Sequence, residues 1–116
     1  MSFAKLDAHC HSLSALEHAL SILGVDEAVS MAPGGGEARA EAMATLSGMY
    51  HRQATDPKVR DWIEAAEAED LTSEQRIAVD ELERSYVSMT CLPSDFVERK
   101  MRTRMRSEQL WRATRP

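Results

Sequence analysis

Asp7-Ala8-His9-Cys10-His11 brings together aspartate, histidine and cysteine, the side chains that ligate transition metals. On a helix Asp7 and His11 share a face and His18 stands two turns beyond His11, whereas His9 and Cys10 point elsewhere. A tetrahedral zinc site needs three or four convergent ligands, and this run supplies two. His9, His11 and His18 are therefore weak metal candidates, read first as solvated or half-buried helical histidines. The metallopeptidase pattern H-E-x-x-H is absent: none of His9, His11, His18 and His51 precedes a glutamate, and no two stand four apart. Gly34-Gly35-Gly36 resembles a phosphate cradle only loosely, because no Lys-Ser/Thr follows and Glu37 would repel an anion. No G-x-S-x-G elbow selects a nucleophile among Ser12, Ser14, Ser21 and Ser30. No catalytic residue emerges from the 116 residues.

The elements that would position these side chains all read as helices, about five of them, in one antiparallel all-α bundle forming a single domain over residues 1–116. The first is expected from about Phe3 to Leu23. Leu6, Leu13 and Leu20 recur at seven, as do His9, Leu16 and Leu23, and Gly24 stands where a C-terminal cap belongs. Ala32-Pro33-Gly34-Gly35-Gly36 cannot continue a helix, so Asp26 to Gly36 reads as a loop. A second helix is expected near Glu37 to Thr55, with Ala42, Met43, Leu46, Met49 and Tyr50 as its apolar face. Asp56-Pro57 opens a third, with Val59, Trp62, Ile63 and Ala66 inward. Thr72-Ser73-Glu74-Gln75 is a capping box opening a fourth, faced by Ala78, Leu82, Tyr86 and Met89. Ser94 is expected to cap a fifth, striped by Val97, Met101, Met105, Glu108 and Trp111 or Arg112. The methionines at helical spacing read as core filler.

Composition fits this reading. Charged residues are 28% and hydrophobic ones 43%, as in a globular chain, and aromatics are only 5%. No stretch approaches the roughly 18 apolar residues of a membrane span, and the N-terminus does not resemble a secretory signal. Cys10 and Cys91 cannot make a disulfide framework, which points to a reducing cytoplasm. The net charge of −5 is uneven: Glu98 to Pro116 holds seven basic and two acidic residues, a net +5, leaving −10 on the rest. The basic face Arg99–Arg115 is expected to lie across the acidic stretch Glu64–Glu83 of the same fold. It has no aromatic interleaving beyond Trp111, so nucleic acid is not the expected partner.

Leu13-Ser14-Ala15-Leu16, Ile22-Leu23-Gly24-Val25-Asp26, Met31-Ala32-Pro33-Gly34-Gly35-Gly36 and Arg39 follow in an order that resembles the N-terminal signature of the carboxypeptidase Taq family. Tyr86, Leu92-Pro93 and Ser107-Glu108-Gln109-Leu110-Trp111-Arg112 extend the likeness. The resemblance implies an all-helical, cytoplasmic, commonly homodimeric metallocarboxypeptidase several times this length. Zinc or cobalt would be the metal of the full-length family, with no cofactor in this chain. It makes Asp26, Met31, Pro33, Gly34, Gly35 and Arg39 the family-motif loop and the first helices a cover beside the substrate groove. Val25 stands where the family has tryptophan, and Ala32 where it has proline. The family's H-E-x-x-H lies downstream of the matched region, so the resemblance carries over no metal or catalytic residue.

Three functions follow as expectations. The first is a non-catalytic cover that self-associates, or docks onto a full-length relative, through Leu13, Leu16, Leu20 and Leu23. The second is one segment of a split or processed peptidase that is active with a partner. The third is a small binding module using Arg99–Arg115.

Overall fold

The computed structural model describes residues 1–116 as five helices without a strand: α1 (Ser2–Val29), α2 (Gly36–Ala54), α3 (Pro57–Glu67), α4 (Ser73–Thr90) and α5 (Ser94–Thr114). The all-α expectation holds, and two local start signals work as read. Asp56 accepts from the Lys58 N–H at 2.9 Å with Pro57 in the first turn. Thr72 and Gln75 complete the reciprocal box at 3.2 and 3.0 Å.

The register of cross-helix contacts shows that the five helices form three rods. Gln53 meets Ser12 and Arg39 meets Asp26, so α2 runs antiparallel to α1. His9 packs edge-on to Trp62, and the backbone N–H groups of Ser2 and Phe3 donate to Glu69, so α3 continues α2 along the same side of α1. Arg60 stacks on Tyr86, His51 meets Ser94, and Gln109 meets Gly36. Thus α4 and α5 together return along α3 and α2. Rod two breaks at Thr55–Asp56 and rod three at Cys91–Pro93, at the same level. The molecule is long and thin, 58 × 25 × 21 Å.

Each end has its own small core. At the end holding the N-terminus, Leu6, Val59, Ile63, Ala66, Val79 and Tyr86 are buried together. At the end holding the α1–α2 loop, Ala40, Met43 and Met105 are buried, with Leu20, Leu23 and Met101 against them.

Several expectations need correction. Helix α1 does not stop at Leu23 with Gly24 as its cap; it continues to Val29 and ends where the Asp26 carbonyl accepts from Ser30 and Met31 at 2.8 and 2.7 Å. Gly24 instead faces Met43, and Arg39 braces the segment by donating to the Leu23 carbonyl at 2.9 Å. The buried face of α2 is Ala40, Met43, Ala44, Ser47, Gly48, His51 and Ala54, while Met49 is 46% exposed. The reason is that α2 has neighbours on two sides. Small residues let α5 approach so closely that a Cβ at Gly48 would collide with Glu98. On α4, Val79 is buried and Ala78 exposed. Ser94 is the first residue of α5, preceded by Pro93 at the cap position, and its hydroxyl turns to His51. The basic face of α5 does not lie across Glu64–Glu83. The register sets it beside α2, where Arg102 takes Glu41 at 2.7 Å and Arg106 takes Glu37 at 2.7 Å.

Candidate functional site

The motif loop lies at one end of the bundle, where the C-terminal turns of α1 and α5 meet the start of α2. Asp26 and Arg39 come together: Arg39 Nη2 donates to Asp26 Oδ2 at 2.6 Å, and the arginine side chain is only 18% exposed. The same guanidinium therefore holds a carboxylate and a backbone carbonyl of α1, fixing where the loop leaves the helix. Gly34 has φ +92°, a conformation that side chains with a Cβ resist, and the Gly35 N–H closes a turn on the Ala32 carbonyl at 3.0 Å. The Met31 side chain lies against Gly35. Pro33 borders a cleft of about 590 Å³ that also takes in Gly34 and Met31.

The floor of that cleft is polar and paired. Glu27 is 6% exposed, and Arg112 Nη1 donates both to its carboxylate at 3.1 Å and to its backbone carbonyl at 3.2 Å. The cation thus sits among the last carbonyls of α1, where the helix dipole favours it. Gln109 Nε2 donates to the Gly36 carbonyl at 2.9 Å, tying α5 to the start of α2. Along the α2–α5 seam Arg102 grips Glu41 through two bonds, 2.7 and 3.1 Å. The Arg102 hydrogen bond holds the Glu41 carboxyl below the usual carboxylate range, and raises Arg102 in turn. Glu27, Glu37 and Glu41 are thus occupied by arginines, which fixes loop geometry and leaves none of them as an unpaired base.

Sequence inspection missed Glu27, Arg112 as its partner, and His51. The His51 Nε2 lies 2.8 Å from the Met89 carbonyl, which can only accept, so that nitrogen carries the proton and the Ser94 hydroxyl donates to Nδ1 at 2.7 Å. His51 is 6% exposed. It bridges the end of α4 to the start of α5 across the break in rod three. A histidine three residues beyond a buried glycine on an otherwise small-residue face was the available signal.

The histidine candidates for metal do not converge. His9 turns to Trp62 with ring centroids 5.8 Å apart, its Nε2 is buried without a partner, and burial lowers its pKa against the opposing pull of Asp56. His11 stands 3.6 Å from Asp7 on the exposed side of α1, and His18 is exposed. No group of three His, Cys, Asp or Glu side chains is placed to hold a metal ion; the donors present do not fit the zinc or cobalt of the family. Of the leucines, Leu13 is buried, Leu16 is half-buried, and Leu20 and Leu23 pack on the loop-end core of their own chain. No helix is long and apolar enough to cross a membrane.

The whole chain is 26% identical, over 120 aligned residues, to thermostable carboxypeptidase 1 of Thermus thermophilus. It spans 22% of the length of that relative. No solved structure matches it. The profile of one family, the carboxypeptidase Taq (M32) metallopeptidases, matches residues 5–116, the same region that carries the ordered loop and helix motifs. That match over nearly the whole chain shows that it belongs to the carboxypeptidase Taq (M32) metallopeptidase family.

Proposed function

We propose that this chain acts as the N-terminal helical cover beside the substrate groove of an M32 metallocarboxypeptidase, and that it works by docking rather than by chemistry of its own. The observation that carries this reading is the family match over residues 5–116 in a chain that spans 22% of its relative. Metallopeptidase chemistry needs a polarised water and a general base. The 116 residues contain no H-E-x-x-H, and the cleft carboxylates named above are paired with arginines.

The surface supports docking. A folded chain of 13.0 kDa exposes about 6,300 Å², whereas this one exposes 7591 Å². The excess, about 1,300 Å², exceeds the ~800 Å² that each partner contributes to a standard interface. Among the 28 residues of α1 the charged ones are only Lys5, Asp7, Glu17, Asp26 and Glu27. So few charges leave α1 without a strongly charged outer face, which favours a partner on that side. The stripe Ile22, Val25 and Val29 is 56, 65 and 79% exposed, on the side of α1 away from the leucines. The occupant is a second copy of the chain, or a relative bearing the zinc ligands. The second case makes the chain one segment of a split peptidase.

Two measurements test this. The chain with zinc or cobalt should release no C-terminal residue from unblocked peptides; metal-dependent release by the chain alone would overturn the non-catalytic reading. Sedimentation equilibrium at micromolar concentration should give a dimer that Val25→Glu dissociates. A single-chain mass throughout would exclude the second copy as occupant, and a dimer indifferent to Val25→Glu would exclude this face.

A further inference from the structure

A second cleft, of about 300 Å³, lies where α1, α2, α4 and α5 meet, midway along the rods and apart from the motif loop. Leu20 and Met101 supply apolar wall; Ser47, Tyr50, Lys100 and Arg104 supply the polar groups, and no aspartate or glutamate lines it. His51 borders it as well, but both its ring nitrogens are already bonded within the protein.

Ser47 carries the decisive atom. The residue is 7% exposed, and its Oγ is buried with no hydrogen-bond partner. The hydroxyls of Thr55, Thr90 and Thr114 satisfy themselves on backbone carbonyls of the preceding turn. Ser47 does not, although the same option exists on any helix. A buried hydroxyl left unpaired is costly, and such groups concentrate where a ligand completes the bond. Across the cleft Lys100 and Arg104 stand one turn apart on α5. Arg104 meets only Glu108, loosely at 3.5 Å. The Tyr50 phenol is a neutral donor at neutral pH, and burial, with Glu17 and Cys10 nearby, raises its pKa further.

We propose that this cleft binds a compact apolar monocarboxylic acid, its carboxylate held by Lys100 and Arg104, with the Ser47 and Tyr50 hydroxyls as neutral donors and its hydrocarbon against Leu20 and Met101. Lys100 and Arg104 line the cleft, and the carboxylates stand only at its margin, Glu108 at 3.5 Å from Arg104 and Glu17 near Tyr50, so the lining favours a negatively charged ligand. The apolar walls select a hydrocarbon body over a bare phosphate. The volume is at the lower end of the ligand-site range, which limits the ligand to roughly ten heavy atoms. The site stands independently of the docking role, since neither depends on the other's residues.

The test is a titration of the isotope-labelled full chain, followed by amide shifts, with 3-phenylpropanoate and with its neutral isostere 3-phenylpropanamide. The acid should saturate with a Kd on the order of 0.1–1 mM, as its size allows, shifting residues around Ser47 and Lys100. The amide should bind about tenfold more weakly, for want of the charge-assisted bonds. Lys100→Gln with Arg104→Gln, on an exposed helix face, should reduce the acid to the level of the amide while the spectrum stays folded. Ser47→Ala should weaken both ligands a few-fold. Equal binding of acid and amide, an acid affinity indifferent to the double substitution, or no saturation by 10 mM (about tenfold above the expected range) would each overturn the proposal.

Discussion

Replacing His51 by alanine should destabilise the chain by about 3 kcal/mol, the largest effect expected of any polar residue here. Three losses combine. A buried ring leaves a cavity that the rods cannot close without shifting. The Met89 carbonyl, at the break in rod three, loses the bond from Nε2 and keeps the longer one, 3.3 Å, from the Leu92 N–H. The Ser94 hydroxyl loses its acceptor. For a chain of this length the melting temperature should fall by about 12 °C. Asparagine reaches one partner at most and should recover only part of the loss. Leucine refills the cavity without serving either polar group and should recover a different part. Thermal unfolding by circular dichroism reads all three. A His51→Ala melt within about 3 °C of the parent, under 1 kcal/mol on the same scale, would show that the bridge does not hold the break.

Removing Arg112 should cost about 2–3 kcal/mol, less than breaking a fully buried pair because its side chain is 35% exposed. The carboxylate of Glu27 is what makes the substitution severe: at 3% side-chain exposure it has little water to turn to once the guanidinium is gone. Arg112→Ala should therefore be worse than Arg106→Ala, whose partner Glu37 is 72% exposed. The joint change Glu27→Leu with Arg112→Leu should recover most of the loss, since it removes the stranded charge as well as its partner. Denaturant unfolding of these three variants, with the single changes Glu27→Leu and Arg112→Leu, forms the check. Additive costs in the joint variant would mean that the two side chains act independently.

The features legible in the sequence are those decided within one turn of chain. Asp56-Pro57 and Thr72 through Gln75 carry their own start signals, and Pro33-Gly34 carries its own stop. The features that were not legible depend on distant partners. Gly24 resembles a cap until Met43 and Arg39 are placed beside it, and then the helix runs on to Val29. The acidic stretch Glu64–Glu83 is the densest in the chain, yet it spans the end of α3 and the first half of α4, in the other half of the molecule from the arginines of α5. Glu27 and Arg112 lie 85 residues apart, and nothing local marks either as buried. The motif loop was half legible: its glycines and proline announce a turn, but the bond from Arg39 to Asp26 requires α2 folded back on α1.

The two breaks at one level, with a small core on either side, have a consequence for how the molecule comes apart. Cooperativity in a helical bundle travels along unbroken rods, and here α1 alone crosses the midpoint without interruption. The chain is therefore built as two folding units that share a single spine, each closed by its own short helices. The apolar cluster around Met43 and Met105 is the smaller, three buried residues against six around Leu6 and Ile63, so that unit is expected to open at lower free energy. The motif loop belongs to that looser unit. Anything that grips the loop end, a partner protein included, tightens the half of the molecule that is otherwise first to open, and its binding is linked to local order rather than to the stability of the whole chain.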